Sequence, residues 1–99
     1  MAPFSVRSIA WKSSYVVNLC DVELIGKTLE EGKLKMHISK EFFGGELIEE
    51  EEAVKLMKES SMISLAGTKS VNIALMNKLG SPQAVREIAG VPFLMIYKF

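Results

Sequence analysis

Glu49-Glu50-Glu51-Glu52-Ala53-Val54-Lys55-Leu56-Met57-Lys58-Glu59-Ser60-Ser61-Met62-Ile63 is the stretch on which the fold turns. Four glutamates lead it, and acidic side chains at a helix N-terminus complement the helix dipole. Ala53, Leu56, Met57, Ser60 and Ile63 then recur every three or four residues, the apolar stripe of a helix lying on a sheet. The spacing predicts one helix from Glu49 through Ile63, broken at Gly67. A second helix follows, with Thr68 as its cap and Val71, Ala74, Leu75 and Leu79 as its buried face. Gly80-Ser81-Pro82 stops it.

Strands flank this helical middle. In residues 4–10, Phe4, Val6 and Ser8 fall on one face of a strand and Ser5, Arg7 and Ile9 on the other. Tyr15-Val16-Val17-Asn18-Leu19 is a second strand, and the short Trp11-Lys12-Ser13-Ser14 link predicts an antiparallel hairpin. Residues 22–27 read as one helical turn capped by Asp21 and stopped at Gly26. Lys33-Leu34-Lys35-Met36-His37-Ile38 alternates as a half-buried third strand, with Leu34, Met36 and Ile38 facing inward. Residues 42–47 read as a loop, and residues 84–88 and 93–97 as two closing strands around Gly90-Val91-Pro92. The order β-β-β-α-α-β-β predicts an α+β domain in two layers. About five strands form a mixed or antiparallel sheet, and both helices pack on one face.

Composition sets limits. Ninety-nine residues, 48% hydrophobic and 24% charged, suit a single globular domain spanning residues 1–99. Net charge is zero, which argues against coating nucleic acid by bulk charge alone. The charge is nevertheless uneven. Residues 1–40 carry six basic and four acidic groups, residues 41–59 two and seven, and residues 60–99 four and one. If the two flanks share a face, that face is positive and the middle segment is its acidic opposite pole. Cys20 is the only cysteine, as suits a reducing cytoplasm. No cationic stretch followed by a long apolar run opens the chain, and no run approaches the roughly 18–20 residues needed to cross a bilayer. A cytoplasmic protein with no membrane partner is expected.

Few residues suggest catalysis. Cys20 and His37 are the sole thiol-imidazole pair, with Asp21 available to orient the base. A lone cysteine at a strand end is more often packing. One His and one Cys cannot close a zinc site, and Glu49, Glu50, Glu51 and Glu52 point around a helix axis, so neither metal nor cofactor is expected. Gly67-Thr68-Lys69-Ser70 is like the end of a phosphate loop. Met62 stands where the upstream glycine belongs, however, and the preceding element reads as a helix. Free N–H groups at the helix start, with Lys69 beside them, could still hold one phosphate. In Phe42-Phe43-Gly44-Gly45-Glu46, one ring is expected in the core and the other exposed to stack on a base or enter a protein pocket.

The clusters Cys20-Asp21-Val22-Glu23-Leu24-Ile25-Gly26-Lys27, Phe42-Phe43-Gly44-Gly45-Glu46, Leu65-Ala66-Gly67 and Gly90-Val91-Pro92-Phe93 together resemble the archaeal family named domain of unknown function 424. The resemblance runs from about Val16 to the C-terminus. Phe43, Ser64 and Phe93 stand where relatives carry tyrosine, asparagine and histidine. The polar groups best suited to catalysis are thus absent, and a non-enzymatic role is expected. The resemblance implies an RNA-binding or ribosome-associated module acting in archaeal translation, with RNA or a ribosomal subunit as partner. Lys27, Lys33, Lys35 and Lys69 are the expected phosphate contacts, and Phe43 (or Phe42) with Gly44 and Gly45 the shape-reading part. Cys20, Asp21, Gly26, Gly67 and Pro92 are motif positions to which the sequence assigns no role. The alternatives are a protein-interaction module using the acidic helix, and a small thiol enzyme centred on Cys20.

Overall fold

The chain runs through β1 (Phe4–Trp11), β2 (Ser14–Asp21), β3 (Thr28–Glu31), β4 (Leu34–His37), α1 (Lys40–Phe43), β5 (Glu46–Ile48), α2 (Glu50–Glu59), β6 (Met62–Ala66), α3 (Thr68–Met76), β7 (Arg86–Ile88) and β8 (Val91–Tyr97). This computed structural model describes residues 2–11 and 14–98, with all their side chains except those of Trp11 and Ser14. Lys12 and Ser13, the tip of the expected first hairpin, lie outside the described residues.

Strands β1 and β2 pair antiparallel, with Phe4 opposite Asp21 and Ile9 opposite Val16. The six-stranded sheet has the order β5-β1-β2-β6-β8-β7. Its β2–β6 pair is parallel and the other pairs are antiparallel, so the fold is α+β on a mixed sheet. Strands β3 and β4 form a separate antiparallel ribbon.

Alternation along each strand sorts the sheet into two faces. Phe4, Val6, Val17, Leu19, Ile63, Leu65, Leu94 and Ile96 point one way and pack on Ala53 and Met57 of α2 and on Val71, Ile73 and Ala74 of α3. We call this the helix face. On the opposite, second face, Cys20 and Ala66 pack with Leu24, Leu29, Ile38 and Phe43, so α1 and the ribbon cover one end of it.

The sequence spacing misplaces one element. The helix that begins as expected stops at Glu59, where Ser60 is already extended, and Met62–Ala66 is a central strand. A strand buried on both faces is a continuous apolar run, and Ile63 satisfies the helical stripe as well as a strand period. The strand wins because β2 and β8 satisfy the backbone of β6 on both edges. The preceding serines compete for backbone hydrogen bonds and weaken the helix there.

Smaller corrections follow the same logic. The third strand belongs to the ribbon, and its inward row is graded: Leu34 is 49% exposed, Met36 half-buried and Ile38 buried. Its partner β3, with Leu29 as its one buried residue, has too little apolar pattern to be seen in the sequence. Residues 42–47 are the end of α1 and the short edge strand β5. Ala84 lies in a helical turn, Pro82–Ala84, so only Arg86–Ile88 forms the expected strand there.

Candidate functional site

The motif positions draw together at the C-terminal ends of the parallel strands β2 and β6. Asp21, the last residue of β2, was expected to cap the turn that follows it. That turn, Val22–Leu24, receives no side-chain cap. The Asp21 carboxylate instead reaches α3, 48 residues on. The Lys69 N–H donates to Oδ2 at 3.0 Å, and the Ser70 N–H and Oγ–H both donate to Oδ1 at 2.8 Å. Thr68 is the first helical residue and not the cap; Gly67 occupies that position without a side chain to offer.

Gly67 is required here for two reasons. Its φ of +112° is left-handed backbone, and a Cβ would sit 2.6 Å from both Asp21 carboxylate oxygens. Its own N–H donates to the Pro92 carbonyl at 2.9 Å. Asp21, Gly67 and Pro92, from three separate clusters, therefore form one strand–helix junction. Gly26 contributes similarly, its N–H donating to the Ile38 carbonyl at 2.8 Å and tying the first turn to the ribbon.

This junction corrects the phosphate reading of Gly67-Thr68-Lys69-Ser70. A strand does precede it, contrary to the sequence reading, but the Lys69 and Ser70 N–H groups that an anion would use are taken by Asp21. The Lys69 ammonium lies 3.8 Å from the Glu23 carboxylate, on a helix of the face away from the ribbon.

Cys20 is wholly buried, and its thiol is pushed up to about 12, first by burial and then by the charges of Asp21 and Glu23. Such a thiol supplies no thiolate nucleophile near neutral pH. The His37 ring is occupied locally, its Nδ1 2.9 Å from Thr28 Oγ1. Below 9.0 the Cys20 thiol is protonated in both folded and unfolded chains. Above it the unfolded chain loses the proton and the folded chain keeps it until about 12. Stability is therefore expected to fall across that window by up to about 1 kcal/mol per pH unit relative to Cys20→Ala. Urea unfolding of both proteins at a series of pH values measures the difference, and parallel profiles would refute the burial argument. Among the described residues, no three His, Cys, Asp or Glu side chains are grouped to hold a metal ion.

The second face carries a different surface. Cross-strand register aligns Arg7, Asn18, Ser64 and Met95 in one row, and Ile9, Val16, Met62 and Tyr97 in the next. Arg86, opposite Phe93, is on this face as well. The chain has only two arginines, and both are here, exposed and without an ion pair among the described residues. Among the described residues of the six-stranded sheet none on this face is acidic; Asp21, Glu46 and Glu87 all point to the helix face. The ribbon that covers its end brings Glu30 and Glu31, and Glu31 Oε1 accepts from the Ala89 N–H at 2.8 Å. Glu50, Glu51, Glu52 and Glu59 of α2 lie on the helix side. The α2 glutamates thus lie across the sheet from the two arginines, while Lys69, from the basic C-terminal flank, lies on the helix side with them.

An apolar cleft of about 360 Å³ opens on this surface between Met36 and Phe42 on one side and Arg86, Phe93 and Met95 on the other. Phe42 is 49% exposed and meets Phe43 edge-to-face at 5.0 Å between ring centroids. Phe43 itself is buried and its carbonyl accepts from Ser5 Oγ, so the exposed ring of the pair is Phe42, not Phe43. Gly44 is buried where a Cβ would meet the Lys40 carbonyl at 2.7 Å; Gly45 is exposed.

Of the expected lysines, Lys27, Lys33 and Lys35 belong to the ribbon and its approach, and all are exposed. Lys35 lies 3.9 Å from Glu30 in an exposed pair, which is worth little. Arg7, Asn18, Arg86 and Phe93 escape a reading of the sequence for phosphate or base contacts. The alternation in β1 does place Arg7 opposite the core residues Phe4 and Val6, but the bearing of Arg86 depends on the sheet order.

Comparison with known proteins agrees with this architecture. The crystal structure of an uncharacterized conserved protein from Methanopyrus kandleri superposes with a TM-score of 0.80 at 23% identity, covering 95% of this chain and 90% of that one. This likeness shows a shared fold. No curated protein matches the chain. No helix among the described residues is long and apolar enough to cross a membrane. The sequence pattern of the family described as "Protein of unknown function (DUF424)" matches residues 12–99, nearly the whole chain, and the protein belongs to that family.

Proposed function

We propose that the protein is a non-enzymatic RNA-binding module, associated with the ribosome and acting in translation. The observation that carries this reading is the segregation of charge across the sheet. Both arginines lie on the second face of the six-stranded sheet, whose own acidic residues point the other way, and the exposed Phe42 lines one cleft with Arg86. Arginine pairs bidentately with phosphate and stacks on bases, and exposed rings stack on unpaired bases. Lys27, Lys33 and Lys35 extend the phosphate path along the ribbon. The buried thiol at Cys20 weighs against the enzyme alternative.

Affinity for a single-stranded RNA should fall steeply with salt. In Arg7→Glu/Arg86→Glu, affinity at about 0.1 M salt should drop tenfold or more, and the salt slope should shrink by about 1.4 because two phosphates of a single strand are no longer neutralised. Lys33→Glu/Lys35→Glu should weaken binding less. Fluorescence anisotropy across a salt series reads both quantities. In lysate, the protein should sediment with a ribosomal subunit at low salt and leave it at high salt or after nuclease. Salt-independent affinity, or the double arginine variant binding as the parent does, would overturn the reading.

A further inference from the structure

Asn18 is the anomaly of the second face. It is 1% exposed, yet neither its Oδ1 nor its Nδ2 has a hydrogen-bond partner among the described residues. A buried amide left unpaired destabilises a fold, so an apolar side chain there would give a more stable domain. A ligand that pairs with the amide would offset that cost. Alternation places Asn18 on the second face, and register places it one strand from Ser64, which lines the cleft together with Met95 of the same row.

We infer that this cleft takes one unpaired nucleobase, stacked on Phe42 and hydrogen-bonded by the Asn18 amide, with the adjoining phosphate on Arg86. A carboxamide presents a donor beside an acceptor, the pattern that matches a base edge bidentately. The cleft is at the lower end of the size range for small-ligand sites, enough for one heterocycle with its sugar. Its walls are mostly apolar, as a stacked base requires, Arg86 supplies a cation, and no carboxylate is among the described residues that line it. Asn18 does not itself line the cleft; the helical turn that carries the half-exposed Phe42 packs over β1 and β2, the strand that bears Asn18, and a base entering from the cleft must displace it to reach the amide. The inference rests on the RNA reading above. A free nucleotide offers the same base and phosphate, so the test separates the two sources.

Amide chemical shifts of the full chain are followed during titration with three probes. These are a mixed-sequence eight-nucleotide RNA, the same backbone with every base removed, and the four nucleoside monophosphates. The base-bearing RNA should perturb Ser64, Phe93 and Met95 and bind about tenfold or more tightly than the abasic strand, the size of one stacking interaction. Asn18→Leu should fold at least as stably as the parent and lose that advantage; Phe42→Ala, altered at an exposed ring, should lose it too. Equal binding of the two strands would leave the RNA reading standing and overturn the base site. Monophosphates perturbing the same amides where RNA does not bind would keep the base site for a free nucleotide and overturn the RNA reading. No perturbation by any probe, or full base preference in both variants, overturns the inference.

Discussion

Gly67→Ala should leave little or no cooperatively folded protein. The added methyl would stand 2.6 Å from both carboxylate oxygens of Asp21. The obstruction is the carboxylate that caps α3, so relief requires breaking the hydrogen bonds it accepts from Lys69 and Ser70. Overpacking of this kind costs about 1–3 kcal/mol. Holding alanine at a φ of +112° adds about 1–3 kcal/mol. Together, at about 2–6 kcal/mol, these reach the lower end of the stability of a domain this size, about 5–15 kcal/mol. The midpoint of thermal unfolding should fall by roughly 20 °C or more, if a transition survives. Gly26→Ala is the control: φ is +89° there, but nothing lies within 4 Å of the added Cβ, so strain is its only cost. Circular dichroism melts of the two variants decide the point. Equal melting temperatures would mean that contact with Asp21 is not what makes Gly67 necessary.

Asp21→Ala should destabilise by about 3–4 kcal/mol, because the Lys69 and Ser70 N–H groups and the Ser70 hydroxyl lose their acceptor in a mostly buried setting. Asp21→Asn should recover little. The carboxylate uses both oxygens, and an amide must turn its NH₂ toward one of the N–H donors. The two sites are coupled with a definite sign. Once Asp21 is alanine the obstacle at Gly67 is gone, so the double variant should cost at least about 1 kcal/mol less than the two single changes summed. Chemical denaturation of the four proteins measures this, with Gly67→Ala followed in a stabilising co-solvent if it does not fold alone. Additive effects would contradict the junction as described. Asp21, Gly67 and Pro92 on this view hold strand and helix together.

Much of the fold is legible in the chain because it depends on local physics. The start of α2 is written in its glutamates, the buried face of α3 in Val71 and Ala74, and the β1–β2 pairing in two alternating runs around a short link. That one ring of Phe42-Phe43 must face solvent also follows locally, although which ring does not. The candidate site was far less visible. Its chemistry was sought in lysines and in a glycine-led helix start, whereas the site proposed above is built on exposed arginines and the unpaired Asn18.

Composition and near neighbours alone specify the α+β class, the acidic start of α2 and the apolar stripe that seats it on the sheet, since each follows from residues within a turn or a strand of one another. Three other features came only from the folded chain: residues 62–66 are a central strand, Asp21 caps a helix 48 residues away, and Arg7 and Arg86 share a face. One cause lies behind all three. Backbone pairing and side-chain direction in a sheet are set by strand order and register, and those are settled by contacts between segments far apart in the chain.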